Sequence, residues 1–179
     1  MCARPNWEVW SCNRLSSPET IWSTASLCKC WVCTHLWLHV PLSLQHIQLH
    51  LFLLYRPPPS KKKKISDALF FEQFPDFLSY CNTLKRKMLV LGEFNFQHDC
   101  DHKMSHMPDI LTQFDLEQCV RDPTHKSGHV IDWVLQRQSD PLLHSVSVES
   151  LLTSDHMSIV CIMNVSNQSV HPPSCSVVS

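Results

Sequence analysis

The chain has 179 residues and a net charge of −1, with 15 Lys and Arg against 16 Asp and Glu. This is one domain's worth of length, with no global electrostatic pull toward nucleic acid, so any phosphate binding must come from local patches. Apolar residues make up 44% of the chain, which argues against wholesale disorder.

Residues 1–45 stand apart in character. They hold five of the six tryptophans and half of the ten cysteines, and they show no sustained period, so the segment is left unassigned. Met1 to Trp7 lead into no apolar core segment, so the reading is of an intracellular, non-secreted chain with mostly reduced thiols. Cys28-Lys29-Cys30-Trp31-Val32-Cys33-Thr34-His35 offers zinc-type donors. The adjacent spacings crowd a tetrahedral site and no second pair follows, which favours plain reduced cysteines. The apolar stretch Leu36 to Leu54 is broken by Pro41 and carries His39, Gln45, His46, Gln48 and His50. That polarity excludes a membrane span and predicts a core strand with polar neighbours.

From residue 46 the pattern sharpens. Ile47, Leu49, Leu51 and Leu53 alternate with Gln48, His50 and Phe52, predicting a strand that ends at Tyr55-Arg56, before Pro57-Pro58-Pro59. Lys61 to Lys64 read as a solvated basic loop. Ser66 is an N-cap candidate for a helix with Leu69, Phe70, Phe74, Phe77, Leu78 and Cys81 on one side. Pro75 would kink or split that helix, and Lys85-Arg86-Lys87 would close it. Met88 to Leu91 reads as a strand buried on both faces. Pro108 fits the first turn of a helix carrying Ile110, Leu111 and Phe114. Strands are expected at Val130–Leu135, Val146–Val148 and Ile159–Met163, and residues 166–179 form a flexible tail. The order predicts an α/β layered domain over residues 46–165.

Only two glycines occur, Gly92 and Gly128, each expected where the backbone turns sharply. Glu93 and Asn95, two apart at a strand end, share a face and could hold a water and a phosphate oxygen together. Taken alone, that block reads more simply as a polar surface turn. Ser154-Asp155-His156 places an acid and an imidazole at a strand start, and Asp132 could orient the imidazole tautomer.

Four blocks in order carry more than each alone: Leu53-Leu54-Tyr55-Arg56-Pro57-Pro58-Pro59, Leu91-Gly92-Glu93-Phe94-Asn95, Pro123-Thr124-His125 to Asp132, and Ser154-Asp155-His156. Together they resemble the second half of the endonuclease/exonuclease/phosphatase family, closest to the endonuclease domain of LINE-type retrotransposons. The resemblance covers roughly Ile47 to Val165. It implies a partial layered α/β sandwich, a mixed sheet with flanking helices, whose first half is missing or replaced. It implies Mg²⁺-dependent phosphodiester hydrolysis on DNA, with no membrane partner and no small-molecule cofactor, and a nuclear location if functional. It assigns catalytic roles to Glu93, Asn95, Asp132 and His156. Tyr55, Asn95, Thr124 and Ser154 become substrate contacts, and Asp155 lies near the metal.

Two departures weaken catalysis in this reading. Glu93 stands where the resemblance expects an aspartate, and its extra methylene shifts the carboxylate by about 1 Å, a displacement able to cost about a hundredfold in rate. The first-half metal ligand has only a loose echo, Glu19 within Ser17-Pro18-Glu19-Thr20-Ile21-Trp22, and no buried strand precedes it; Glu19 is therefore disfavoured as a ligand. The alternative is a non-catalytic, vestigial protein binding nucleic acid weakly through Lys61 to Lys64 and Lys85-Arg86-Lys87.

Overall fold

The computed structural model describes residues 8–12, 25–29, 36–44, 47–61, 66–84, 86–96, 106–151 and 153–164. Nine strands and two helices follow in chain order. They are β1 (Glu8–Cys12), β2 (Ala25–Lys29), β3 (Leu36–Leu44), β4 (Ile47–Tyr55), α1 (Asp67–Thr83), β5 (Lys87–Glu93), α2 (Met107–Gln113), β6 (Leu116–Gln118), β7 (Asp132–Arg137), β8 (Leu143–Glu149) and β9 (Ser158–Met163). Seven strands form one mixed sheet in the order β1-β2-β3-β4-β5-β7-β6, and β8-β9 form a separate antiparallel pair. Only β4 and β5 run parallel, joined by the crossover helix α1, as a parallel pair requires.

The period of two in the sheet strands sorts two apolar sets onto opposite faces. Phe52 and Leu54 of β4, Met88 and Val90 of β5, and Trp133 and Leu135 of β7 pack with Phe70, Phe74, Phe77, Leu78 and Cys81 of α1 and with Met107 of α2. Leu49, Leu89 and Val134 join Leu143 in a second cluster, with Val146, Val148, Ile159, Cys161 and Met163 packed against it. The result is a layer of helices, a seven-stranded sheet and a two-stranded sheet.

Several expectations meet the structure directly. Ser66 is the N-cap of α1, its Oγ accepting from Leu69 N at 3.2 Å. Pro75 neither splits the helix nor ends it; α1 runs through as one element. Four buried apolar side chains flank Pro75, namely Phe70, Phe74, Phe77 and Leu78. At about 1.5–3 kcal/mol apiece their burial outweighs the roughly 3 kcal/mol that an interior proline costs. Lys87 does not close the helix: α1 caps at Leu84, and Lys87 opens β5 and pairs with Asp140.

The stretch expected as one strand across Leu36–Leu54 is two antiparallel strands, β3 and β4. Pro41 sits inside β3 opposite His50. Among the described residues β2 pairs with β3 across Trp37, Leu38 and His39, so its register stops short of Pro41. The segment left unassigned, 1–45, thus supplies three strands that continue the sheet beyond β4. The three-residue β6 was not anticipated. Glu19, residues 30–35 of the cysteine-rich stretch, residues 62–65 and the tail beyond 164 lie outside the described residues. No helix among the described residues is long and apolar enough to cross a membrane.

Candidate functional site

Backbone register brings three of the expected residues into one row. Tyr55 pairs with Glu93 across β4 and β5, and Glu93 pairs with Asp132 across β5 and β7. Residues in one row of a sheet share a face. By parity this is the face of Leu49, Leu89 and Val134, toward the β8–β9 pair. Tyr55 is 43% exposed there. Beside the row a cavity of about 230 Å³ opens between the sheets, lined by Leu91, Gly92, Asp132, Trp133, Met157 and Ile159 among others.

Gly92 makes this row possible. It lies inside β5 rather than in a turn, at φ +150°, and a Cβ there would stand 1.8 Å from the carbonyl oxygen of Leu54. Only glycine permits that approach of β4 and β5 one residue before Tyr55 and Glu93. Gly128, by contrast, does turn, at φ +86°, with its N–H donating to His125 O at 2.9 Å.

Beyond Glu93 the chain bends through Asn95, which adopts a positive φ of 52°. Its Nδ2 donates to Arg56 O at 2.7 Å, while Arg56 Nη1 donates to Phe94 O at 3.0 Å and to Asn95 O at 3.4 Å. Arg56 is fully buried, ion-paired to Asp67, and its guanidinium carbon lies 3.8 Å from the centre of the Phe96 ring. The Asn95 amide therefore serves the loop's own backbone in this arrangement.

Asp132 and His156 meet through a second frame. Thr124 is fully buried, and its Oγ accepts from Ile131 N at 3.1 Å and from Asp132 N at 3.0 Å, fixing the start of β7. Residues 124–126 and 155–157 run as a short ladder: Met157 N donates to Thr124 O at 2.7 Å, Lys126 N donates to Asp155 O at 2.8 Å, and His125 bridges His156. Ser154 Oγ accepts from His156 N at 3.1 Å, shaping the turn that presents the imidazole. His156 Nδ1 lies 2.9 Å from Asp132 Oδ2, so the carboxylate accepts a hydrogen bond from Nδ1–H and Nε2 is left for a ligand.

The electrostatics follow from this geometry. The hydrogen bond to Asp132 raises the pKa of His156 above its ordinary value. Burial works against the rise, while the charges of Asp132, Glu93 and Asp155 add to it. Asp155 is held below the usual carboxylate value by a backbone hydrogen bond, and then by His125 and His156. His125, which carried no assigned role, stands with its Nε2 3.5 Å from Asp155 Oδ2. The ligand atoms of His125, Asp155 and His156 all lie within 4.8 Å of one another. His125 stands beside Thr124 in sequence, while the residues that it meets, Asp155 and His156, lie some thirty residues downstream.

The site thus gathers Tyr55, Glu93, Asp132, Asp155 and His156 at one end of the sheet, with Thr124 and Ser154 as supports for backbone and Asn95 on the adjoining bend. Mg²⁺ takes oxygen ligands in near-octahedral geometry. The donors grouped among the described residues are two imidazoles and one carboxylate, and the Asp132 carboxylate is committed to His156, so this group does not fit Mg²⁺.

No protein-family model matches the sequence, and no curated protein does. Among solved structures, a humanized D. rerio TDP2 is similar over 80% of this chain and 67% of its own, at 13% identity and a TM-score of 0.55. D. rerio TDP2 complexed with single-strand DNA product matches over 80% of this chain and 68% of its own, at 12% identity and a TM-score of 0.55. An endonuclease/exonuclease/phosphatase family protein from Leptotrichia buccalis matches over 72% of this chain, at 12% identity and a TM-score of 0.51. The chain spans about half (52%) of that bacterial protein. At these identities the likeness speaks for architecture alone: the chain carries a mixed α/β layered fold of the endonuclease/exonuclease/phosphatase type.

Proposed function

We propose that the row Tyr55–Glu93–Asp132 and the neighbouring His156 form a phosphodiester-directed site, in a partial endonuclease domain of LINE-type descent. The single observation that carries the reading is the 2.9 Å contact between His156 Nδ1 and Asp132, with Glu93 paired beside Asp132. An imidazole whose protonated form is favoured by its carboxylate can present Nε2–H as a charged donor to a phosphate oxygen. Glu93, on the same face, is placed to take a proton from an attacking water. Tyr55 at the rim and Asn95 on the bend are the further substrate contacts in this reading, with Thr124 and Ser154 acting through the positions they give Asp132 and His156. No step is assigned to Mg²⁺.

Turnover is low in this proposal for two reasons. Glu93 carries its carboxylate one methylene farther than the resemblance expects. Among the described residues the second sheet has two strands, and the β4 face buried at Leu49 is open at Leu53 and Tyr55. DNA is the partner proposed.

The test is nicking of supercoiled plasmid in Mg²⁺ buffer, run beside an EDTA arm and His156→Ala. Slow nicking that disappears in His156→Ala is the expected result. A folded, soluble protein that never nicks, yet binds DNA with steep salt dependence, would replace hydrolysis with the non-catalytic binding reading.

A further inference from the structure

The misfit between Mg²⁺ and the donors of His125, Asp155 and His156 points to a different ion. We propose that His125, Asp155 and His156 form a binding site for a transition-metal dication of the Zn²⁺ class, ligated through Nε2 of each imidazole and the Asp155 carboxylate. At His156 the ion competes with the phosphate contact proposed above, because a bound ion takes the Nε2 lone pair that the proton would hold.

The donor chemistry comes first. Two imidazoles and a carboxylate are the set that borderline ions such as Zn²⁺ and Co²⁺ take, and three protein ligands leave one coordination position open. One ligand atom from each residue lies within 4.8 Å of the others, and His125 Nε2 stands 3.5 Å from Asp155 Oδ2. Donors around a tetrahedral zinc ion stand about 3.3 Å apart, so binding requires the side chains to draw in around the ion. Asp155, with its side chain 70% exposed, is free to do so by rotation.

Outer partners for the imidazoles are already in place. Metal-bound histidines usually donate their second ring N–H to a carboxylate or another acceptor, which fixes the tautomer. His156 does so through Nδ1 to Asp132 at 2.9 Å. His125 Nδ1 lies 2.6 Å from Ser127 Oγ, and the Ser127 N–H also points at it from 3.1 Å. Metal binding at Nε2 selects the tautomer in which Nδ1–H donates to Ser127 Oγ, giving up the contact from Ser127 N–H. The two imidazoles are held in a nearly perpendicular arrangement, at 80° with centres 5.2 Å apart, by the backbone ladder that joins 124–126 to 155–157. The frame is built by backbone hydrogen bonds, so it precedes any ion.

Co²⁺ serves as the probe, because its visible absorption reports coordination number and a thiolate charge-transfer band reveals cysteine ligation. Titration of the full chain is expected to give one Co²⁺ per chain with nitrogen- and oxygen-type bands and no thiolate band, displaced by Zn²⁺. His125→Ala and Asp155→Asn should abolish those bands. Ser127→Ala, at an exposed turn position, should leave folding unchanged and weaken binding about ten- to hundredfold. His144→Ala, at an exposed position on β8, should change nothing. Absence of a nitrogen- and oxygen-type spectrum in the folded protein would overturn the proposal. So would a spectrum that survives both Ser127→Ala and His125→Ala unchanged.

Discussion

Arg56 and Asn95 hold each other through their main chains: Arg56 Nη1 donates to the Asn95 carbonyl, and Asn95 Nδ2 donates to the Arg56 carbonyl. Arg56 N also donates to Glu93 O at 2.9 Å, so the ends of β4 and β5 are tied where Tyr55 and Glu93 face the site. The guanidinium is charged, fully buried and balanced by Asp67, with Phe96 and Phe70 against its plane.

Arg56→Ala should therefore destabilise the fold by about 3–5 kcal/mol, since it strands Asp67 and the carbonyls of Phe94 and Asn95. Urea unfolding measures the loss. Arg56→Lys keeps the charge but cannot serve two carbonyls and a carboxylate in one plane, so it should recover only part of it.

Gly92→Ala should be the most damaging small substitution in the sheet. The added Cβ meets the Leu54 carbonyl at 1.8 Å, and φ +150° is strained for any L side chain, so either β4 and β5 separate or the chain fails to fold. A loss above about 3 kcal/mol is expected, visible as a lowered thermal midpoint or as insoluble protein. Gly128→Ala meets nothing within 4 Å and should cost only the strain of its positive φ, about 1 kcal/mol.

Asp132→Asn keeps the shape of the side chain and removes its charge. The pKa of His156 should then fall from its raised position toward the ordinary imidazole value, read by NMR titration of the ring. The ion pair stabilises the fold at pH below the unfolded imidazole value, and that contribution disappears as pH rises through the higher folded value. Under the phosphodiester reading, nicking should drop by about a hundredfold or more.

Glu93→Asp tests the geometry from the opposite direction. Shortening the side chain should raise the nicking rate, up to about a hundredfold if misplacement is the main defect. A rate that falls would mean that this backbone has adapted to glutamate.

His39 and His50 give a pH dependence remote from the site. They lie across β3 and β4, His39 Nε2 2.8 Å from His50 Nδ1, and His39 is buried, stacked on Phe52. Burial, with the nearby His50 adding to it, lowers the pKa of His39 to about 4. The unfolded chain binds that proton more readily, so stability should fall as pH drops from about 6.5 toward 4, by on the order of 1 kcal/mol per pH unit. His39→Phe should flatten this slope in urea unfolding measured across that range.

Local pattern was enough for some elements. Alternation over Ile47–Tyr55 marked β4, the Ser66 cap and the spacing Phe70, Phe74, Phe77, Leu78 marked α1, and an unbroken apolar run marked β5. These signals repeat within a turn or a dimer of residues, so they survive without knowledge of partners. Over Leu36–Leu44 composition shows an apolar run but not where the chain reverses, and β6 is too short to have a period.

The sequence by itself determined which residue types would be available: a tyrosine, two acids and an amide at strand ends, and an acid–imidazole pair at a strand start. Tertiary structure alone decided their relations. The parallel pairing of β4 with β5 and the antiparallel pairing of β5 with β7 set Tyr55, Glu93 and Asp132 in one row; the ladder between residues 124–126 and 155–157 brought His125 to Asp155 and His156. Register and long-range bridges are cooperative choices among distant strands, made by burying both faces of the sheet at once, and no local window of residues contains that information.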